Sequence, residues 1–134
     1  MLADARELPR GEVGEIIVRG PVVTKTYDAL PEATALAKIT DGAAVWHRMG
    51  DCGYFDADGR LWFCGRKAER VETADATLHT EPCEQVFRQH HLGLRCALIG
   101  LGPRGKQRPA LVIEVDLPDS RARSEEHTSE LQSH

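Results

Sequence analysis

An aspartate and an arginine stand near the two ends of the run His47 to Lys67, HRMGDCGYFDADGRLWFCGRK. Asp51 follows Met49-Gly50, and Arg66 lies between Gly65 and Lys67. Between them, Tyr54-Phe55 and Leu61-Trp62-Phe63-Cys64 are apolar runs separated by Asp56-Ala57-Asp58-Gly59. Asp-Gly between two such runs is a strong hairpin signal. Pairing the runs carries Asp51 and Arg66 to the ends of neighbouring strands. There the carboxylate can accept hydrogen bonds from ribose hydroxyls, and the guanidinium can donate to ribose or phosphate oxygens. The chemistry implied is nucleotide handling, by an enzyme most of which would have to lie outside this chain.

The elements that must position this pair read as an α+β chain without internal repeats. Glu15 to Arg19 (EIIVR) is a β-branched run closed by Gly20-Pro21, which predicts a strand, with Val22-Val23-Thr24 continuing the sheet. Pro31-Glu32-Ala33-Thr34 predicts a helix start, with helix formers through Lys38. Asp41-Gly42 reads as a turn, and Ala44 to Arg48 leads into Gly50-Asp51. Beyond Arg66, Arg70 to Thr73 and Thr77 to Thr80 predict a second hairpin turning at Asp75-Ala76. Ala is less comfortable there than Gly, because a Cβ strains positive φ. Pro82 to His90 predicts a helix with Cys83, Val86 and Phe87 as its apolar face. Leu94 to Leu101 and Ala110 to Val115 predict two strands around the Gly102–Pro109 loop.

Composition narrows the classes. The 134 residues, 41% hydrophobic and 28% charged, fit one ordinary domain or pieces of two. A formal net charge of -4 argues against nucleic acid, whose phosphates need a Lys/Arg excess. No apolar run approaches the roughly 18 residues of a membrane span, and no signal peptide is visible at Met1-Leu2-Ala3-Asp4, so a cytoplasmic, non-transmembrane protein is expected. Cys52, Cys64, Cys83 and Cys96 form no CxxC pair and read as free thiols rather than a bridge or zinc site. His90-His91 is adjacent rather than spaced at i, i+4, and reads as helix-end or loop. Tyr27 and Trp46 read as packing residues, and Lys67 as a solvated charge.

The last segment, 123–134, RSEEHTSELQSH, has no apolar period and resembles the in-frame translation of a sequencing-library adapter. It is set aside from the fold. Without its one Arg and three Glu the chain keeps 16 basic and 18 acidic residues, net -2. The reading frame is then expected to stop short of the protein's own end.

The order of the motifs carries a resemblance. GEVGEIIVRGPVVTKTYDALPEAT at Gly11 to Thr34, followed by the His47–Lys67 run, resembles the adenylate-forming superfamily of acyl-CoA synthetases, adenylation domains and luciferases. Its Gly-Glu strand, Pro-Glu-x-Thr helix, Arg-(Thr/Met)-Gly-Asp block and hairpin ending in Gly-Arg appear here in family order, and the likeness spans Gly11 to Asp116. Arg-Val-Glu-Thr-Ala-Asp, the block TEPCE at Thr80 to Glu84 and the Gly102–Pro109 loop are most similar to the bacterial olefin-pathway β-lactone synthetase and fatty-acid CoA ligase group. That group has Ala-Asp-Gly where this chain has Ala74-Asp75-Ala76, a departure expected to loosen the second hairpin.

The resemblance implies a fragment. Residues 1–66 would be the β-rich end of the large AMP-binding domain, and 67–122 the start of the small lid domain. It implies that Asp51 binds both ribose hydroxyls of ATP and acyl-AMP, and that Arg66 contacts the ribose and orients the lid. Ala68 would occupy the hinge, where many relatives carry Asp or Lys. The parent would activate a fatty β-hydroxy acid with ATP and Mg, then close a β-lactone or pass the acyl group to coenzyme A, alongside partner enzymes of a lipid or olefin pathway. No phosphate-binding loop is recognisable, and Arg104, Lys106 and Arg108 do not match the family's catalytic lysine. The fragment alone is therefore expected to be inactive, with exposed apolar edges. The competing reading is a small non-catalytic α+β binding module.

Overall fold

The computed structural model describes residues 5–23 and 31–116. Tyr27, Thr24 and the segment 123–134 lie outside them. Strand β1 (Gly14–Val18) is followed by helix α1 (Pro31–Ala37), β2 (Lys38–Asp41), β3 (Ala44–Phe55) and β4 (Leu61–Arg66). A single 3-10 turn, Lys67–Glu69, leads into β5 (Val71–Glu72), β6 (Thr77–Leu78), α2 (Thr80–His90), β7 (Cys96–Leu101) and β8 (Arg108–Ile113). The chain is α+β, as its sequence predicts.

The twelve-residue β3 organises the first half. β1 runs antiparallel along one edge, from Gly14 opposite Gly53 to Val18 opposite His47. Along the other edge β2 and β4 follow one another, β2 pairing Lys38 with His47 and β4 pairing Asp51 with Arg66. Bulges fall between Glu15 and Ile17 and between Cys52 and Gly53, so register shifts beside Asp51 on both neighbouring strands. The hairpin between β3 and β4 turns where Asp58-Gly59 predicts it. Its loop is closed by Asp56 N–H to the Arg60 carbonyl at 2.9 Å and Gly59 N–H to the Asp56 carbonyl at 3.0 Å.

After Arg66 the sheets are smaller. β5 and β6 pair over two residues each, and β7 and β8 form a six-residue hairpin. The β5–β6 turn holds without a glycine, because Thr73 supplies its bonds. The Thr73 amide and hydroxyl both donate to the Ala76 carbonyl at 2.9 Å, and the hydroxyl oxygen accepts from Ala76 N–H at 2.9 Å. Helix α2 carries Glu81 in its first turn and Arg88 and His90 in its last, the charge order that complements the helix dipole. It docks on β7 through Glu84, whose Oε1 accepts Leu98 N–H at 2.9 Å. Phe87 stacks on His91, the helix's C-cap, with ring centroids 4.6 Å apart.

Three local expectations are corrected. Val22-Val23 lies in a turn rather than extending the sheet, since Pro21 offers no N–H to a ladder. Lys38 opens β2 instead of closing the helix, because its neighbours find partners on β3. Helix α2 begins at Thr80, two residues before Pro82, because proline is tolerated in a first turn whose N–H groups have no intrahelical acceptor.

Among the described residues few apolar side chains are buried: Cys52 and Cys64 on the central hairpin and Val71 on β5. Leu61, Trp62 and Phe63 each remain half exposed, and Val112 and Val115 are equally open. Apolar surface on this scale marks faces that normally have a covering partner.

Candidate functional site

Asp51 and Arg66 meet as direct cross-strand partners at the open end of the β3–β4 hairpin. Arg66 Nη1 donates to Asp51 Oδ1 at 3.0 Å and to the Met49 carbonyl at 3.3 Å. Two glycines make this approach possible. Gly50 has φ +73°, a conformation that L side chains rarely adopt, and it turns the chain immediately before Asp51. Gly65 has φ +116°, and a Cβ there would lie 2.2 Å from the Thr80 hydroxyl oxygen. The Gly-Asp and Gly-Arg blocks are thus backbone requirements as well as sequence signatures. The second bears the first turn of α2 directly against the strand end.

Chemically, the pair has capacity to spare. Among the described residues Asp51 accepts only the bond from Arg66, leaving Oδ2 able to accept from a ligand. Arg66 is 59% exposed and retains unused N–H donors. A ribose diol fits the first group and a ribose or phosphate oxygen the second. No group of three or more His, Cys, Asp or Glu among the described residues could hold a metal ion.

Ala68 lies within the 3-10 turn directly after this pair. Its carbonyl accepts a hydrogen bond from Arg104 Nη2, while Arg104 Nη1 lies 3.7 Å from Glu72 Oε1. The Gly102–Pro109 loop is therefore a clasp between two strands and against the turn. Lys106 N–H donates to the Pro103 carbonyl at 3.0 Å, and Arg108 opens β8 opposite Leu101.

Lys67 is not the solvated charge its sequence context predicts. Its Nζ donates to Glu15 Oε2 at 2.7 Å. Glu15 also takes a two-pronged grip from Arg48, with Nε to Oε1 at 2.9 Å and Nη2 to Oε2 at 2.8 Å. The Arg48 bonds, followed by Lys67, hold the Glu15 carboxyl below the usual range despite partial burial. Glu15 raises the Arg48 guanidinium in turn. Sequence reading missed this cluster. Its one local sign was a glutamate opening an otherwise apolar strand.

The cysteines are free. Burial pushes the Cys52 and Cys64 thiols up, the reverse of what a nucleophile needs. Burial followed by the charge of Arg70 lowers His79. Trp46 stacks under Arg19, whose guanidinium carbon is 4.7 Å from the ring centroid. No helix among the described residues is long and apolar enough to cross a membrane.

No family model matches the sequence. The chain is 54% identical over 118 residues to an olefin beta-lactone synthetase of Stenotrophomonas maltophilia, covering 84% of this chain and 21% of that protein. Its fold matches the amide bond synthetase McbA of Marinactinospora thermotolerans with a TM-score of 0.67 and 29% identity, over 86% of this chain and 24% of McbA. It also matches the O-succinylbenzoate coenzyme A synthetase of Bacillus subtilis, solved with ATP and magnesium, with a TM-score of 0.71 and 24% identity, over 86% of this chain and 23% of that one. The chain spans about a fifth of the length of the curated relatives it matches.

Proposed function

We propose, since this chain belongs to the adenylate-forming superfamily, that it is the junction segment of a cytoplasmic ATP-dependent acyl-adenylating enzyme. The observation that carries the reading is the Asp51–Arg66 pair at 3.0 Å, Asp51 within β3 and Arg66 ending β4 beside it, with an acceptor oxygen and several donors unspent among the described residues. Residues up to Arg66 belong to the large domain and those from Lys67 to the lid, with Ala68 as the pivot. A small residue there absorbs φ/ψ change without a side chain to re-pack.

The parent joins a fatty β-hydroxy acid to the α-phosphate of Mg-ATP, releasing pyrophosphate and leaving acyl-AMP. The activated acyl carbon is then attacked by the substrate's own β-hydroxyl, forming a β-lactone, or by the thiol of coenzyme A, forming a thioester; in either case the acyl–phosphate bond breaks and AMP and a proton leave. The 54% identity to a beta-lactone synthetase favours the first acceptor. Asp51 accepts from the ribose hydroxyls and Arg66 donates to ribose or phosphate oxygen. Neither makes or breaks a bond. Their work is to hold the nucleotide in line for attack, where orientation contributes much of the rate.

Exchanging this segment for its counterpart in the Stenotrophomonas maltophilia synthetase tests the reading. The hybrid is expected to release pyrophosphate from ATP with a β-hydroxy fatty acid, and the 134-residue chain alone to release none. A folded hybrid that binds ATP but releases no pyrophosphate would contradict the first part. Pyrophosphate release by the chain alone would contradict the second.

A further inference from the structure

The Lys67–Glu15 ion pair spans the sheet. β1, which carries Glu15, and β4, which ends at Arg66, lie on opposite edges of β3. Glu15 is opposite Cys52 on one side, and Cys52 is opposite Gly65 on the other. The 2.7 Å contact therefore straps the turn after β4 to β1, across β3 at the residue next to Asp51. Arg48 of β3 joins the same carboxylate, fixing Glu15 with two further bonds. Glu15 is largely shielded, at 19% side-chain exposure, and Lys67 partly so, at 36%, so the contact is less screened than one in open solvent.

Arg66 needs such support. It is the last residue of its strand, its side chain is 59% exposed, and one 3.0 Å bond ties it to Asp51. Exposed pairs of this kind contribute little and do not hold a geometry by themselves. On the far side of the junction, Arg104 holds the Ala68 carbonyl to the Gly102–Pro109 loop. The chain is thus fastened to the first sheet through Lys67 and to the later elements from Ala68 onward.

We infer that Glu15 and Lys67 are positioning residues for the nucleotide grip: their strap keeps Arg66 registered against Asp51 while the chain beyond Lys67 moves. The inference rests on the reading of Asp51 and Arg66 given above. It assigns Lys67 a role that depends on its charge and reach, and Glu15 a role that depends on serving two cations at once.

The test uses the full-length hybrid synthetase, with ATP and a β-hydroxy fatty acid as probes. Lys67→Met leaves the Arg48–Glu15 fork in place, so it is the deciding variant. It is expected to raise KM for ATP five- to tenfold with kcat changed less than twofold, and Lys67→Arg to restore most of the loss. Glu15→Gln is expected to raise KM for ATP at least as much, and adding Lys67→Met to it to cause little further change. An unchanged KM in Lys67→Met, or a lowered melting temperature with kcat reduced and KM unmoved, would overturn the inference. Asp51→Ala in the same background separates the two levels. If it weakens ATP binding while Lys67→Met does not, the strap alone is refuted. If Asp51→Ala has no effect on ATP, the grip and the strap fall together.

Discussion

The β3–β4 hairpin carries an aspartate–arginine pair at each end, and the two pairs are used differently. At the loop end Asp56 accepts from the backbone N–H groups of Asp58 and Arg60, from Arg60 Nε and from Trp62 Nε1, all at 2.8–2.9 Å. At the open end, among the described residues, Asp51 accepts one bond, from Arg66. The two carboxylates are almost equally accessible, at 18% and 22%, so burial does not distinguish them. What differs is how much acceptor capacity the protein has already used. The Trp62 N–H, then the Arg60 backbone N–H, hold the Asp56 carboxyl down at about 2. The same two residue types thus close a turn at one end and leave hydrogen-bonding capacity unspent at the other.

The largest expected effect separates the glycines that serve the two ends. Gly65→Ala places a Cβ against Thr80 at strained φ, and is expected to destabilise the protein by about 2–4 kcal/mol. Gly59→Ala at the loop end meets only the flexible tip of Arg10 at 3.7 Å, and should cost about 1 kcal/mol. Urea unfolding of the two variants measures the difference; equal midpoints would erase it. Next comes Asp51→Ala, which should weaken ATP binding in the hybrid enzyme roughly 10- to 100-fold, the scale of one or two charge-assisted hydrogen bonds. Calorimetric titration reads the affinity, while the melting temperature should barely move. Asp56→Ala should do the opposite, lowering the melting temperature by a few degrees with ATP affinity unchanged.

The smallest effect is in acid. The Asp56 carboxyl falls from an ordinary 3.8 to about 2 on folding, so between these values the unfolded chain binds a proton that the folded one refuses. The resulting stability is complete above about pH 4 and drains away as the pH falls toward 2. Asp56→Asn should flatten that limb of a stability–pH curve. An unaltered limb would mean that Asp56's bonds are not formed in solution.

Much of this hairpin was legible because its determinants are local. Asp58-Gly59 between two aromatic runs set the turn and the pairing of Gly53–Phe55 with Leu61–Phe63, whereas the one-residue shift between Cys52 and Gly53, which brings Asp51 opposite Arg66 rather than Gly65, was not legible. The four-residue β2 was not legible, because Lys38–Asp41 continues a helix-forming run and becomes a strand only by pairing with β3. Nor was β3 readable as one strand, since Gly50 and Gly53 interrupt its apolar pattern. The Lys67–Glu15 strap joins residues 52 positions apart. Apart from a glutamate in an otherwise apolar run, nothing in the neighbourhood of either residue announces it.

The central claim is that Asp51 receives the two hydroxyls of a ribose. Comparing ATP with 2′,3′-dideoxy-ATP in the hybrid enzyme and its Asp51→Ala variant measures this most directly. The unmodified protein should prefer ATP by roughly tenfold or more, as expected when hydrogen bonds to a charged acceptor are lost. Asp51→Ala should bind both nucleotides alike. A variant that still preferred ATP by the original factor would place the ribose elsewhere and contradict the account.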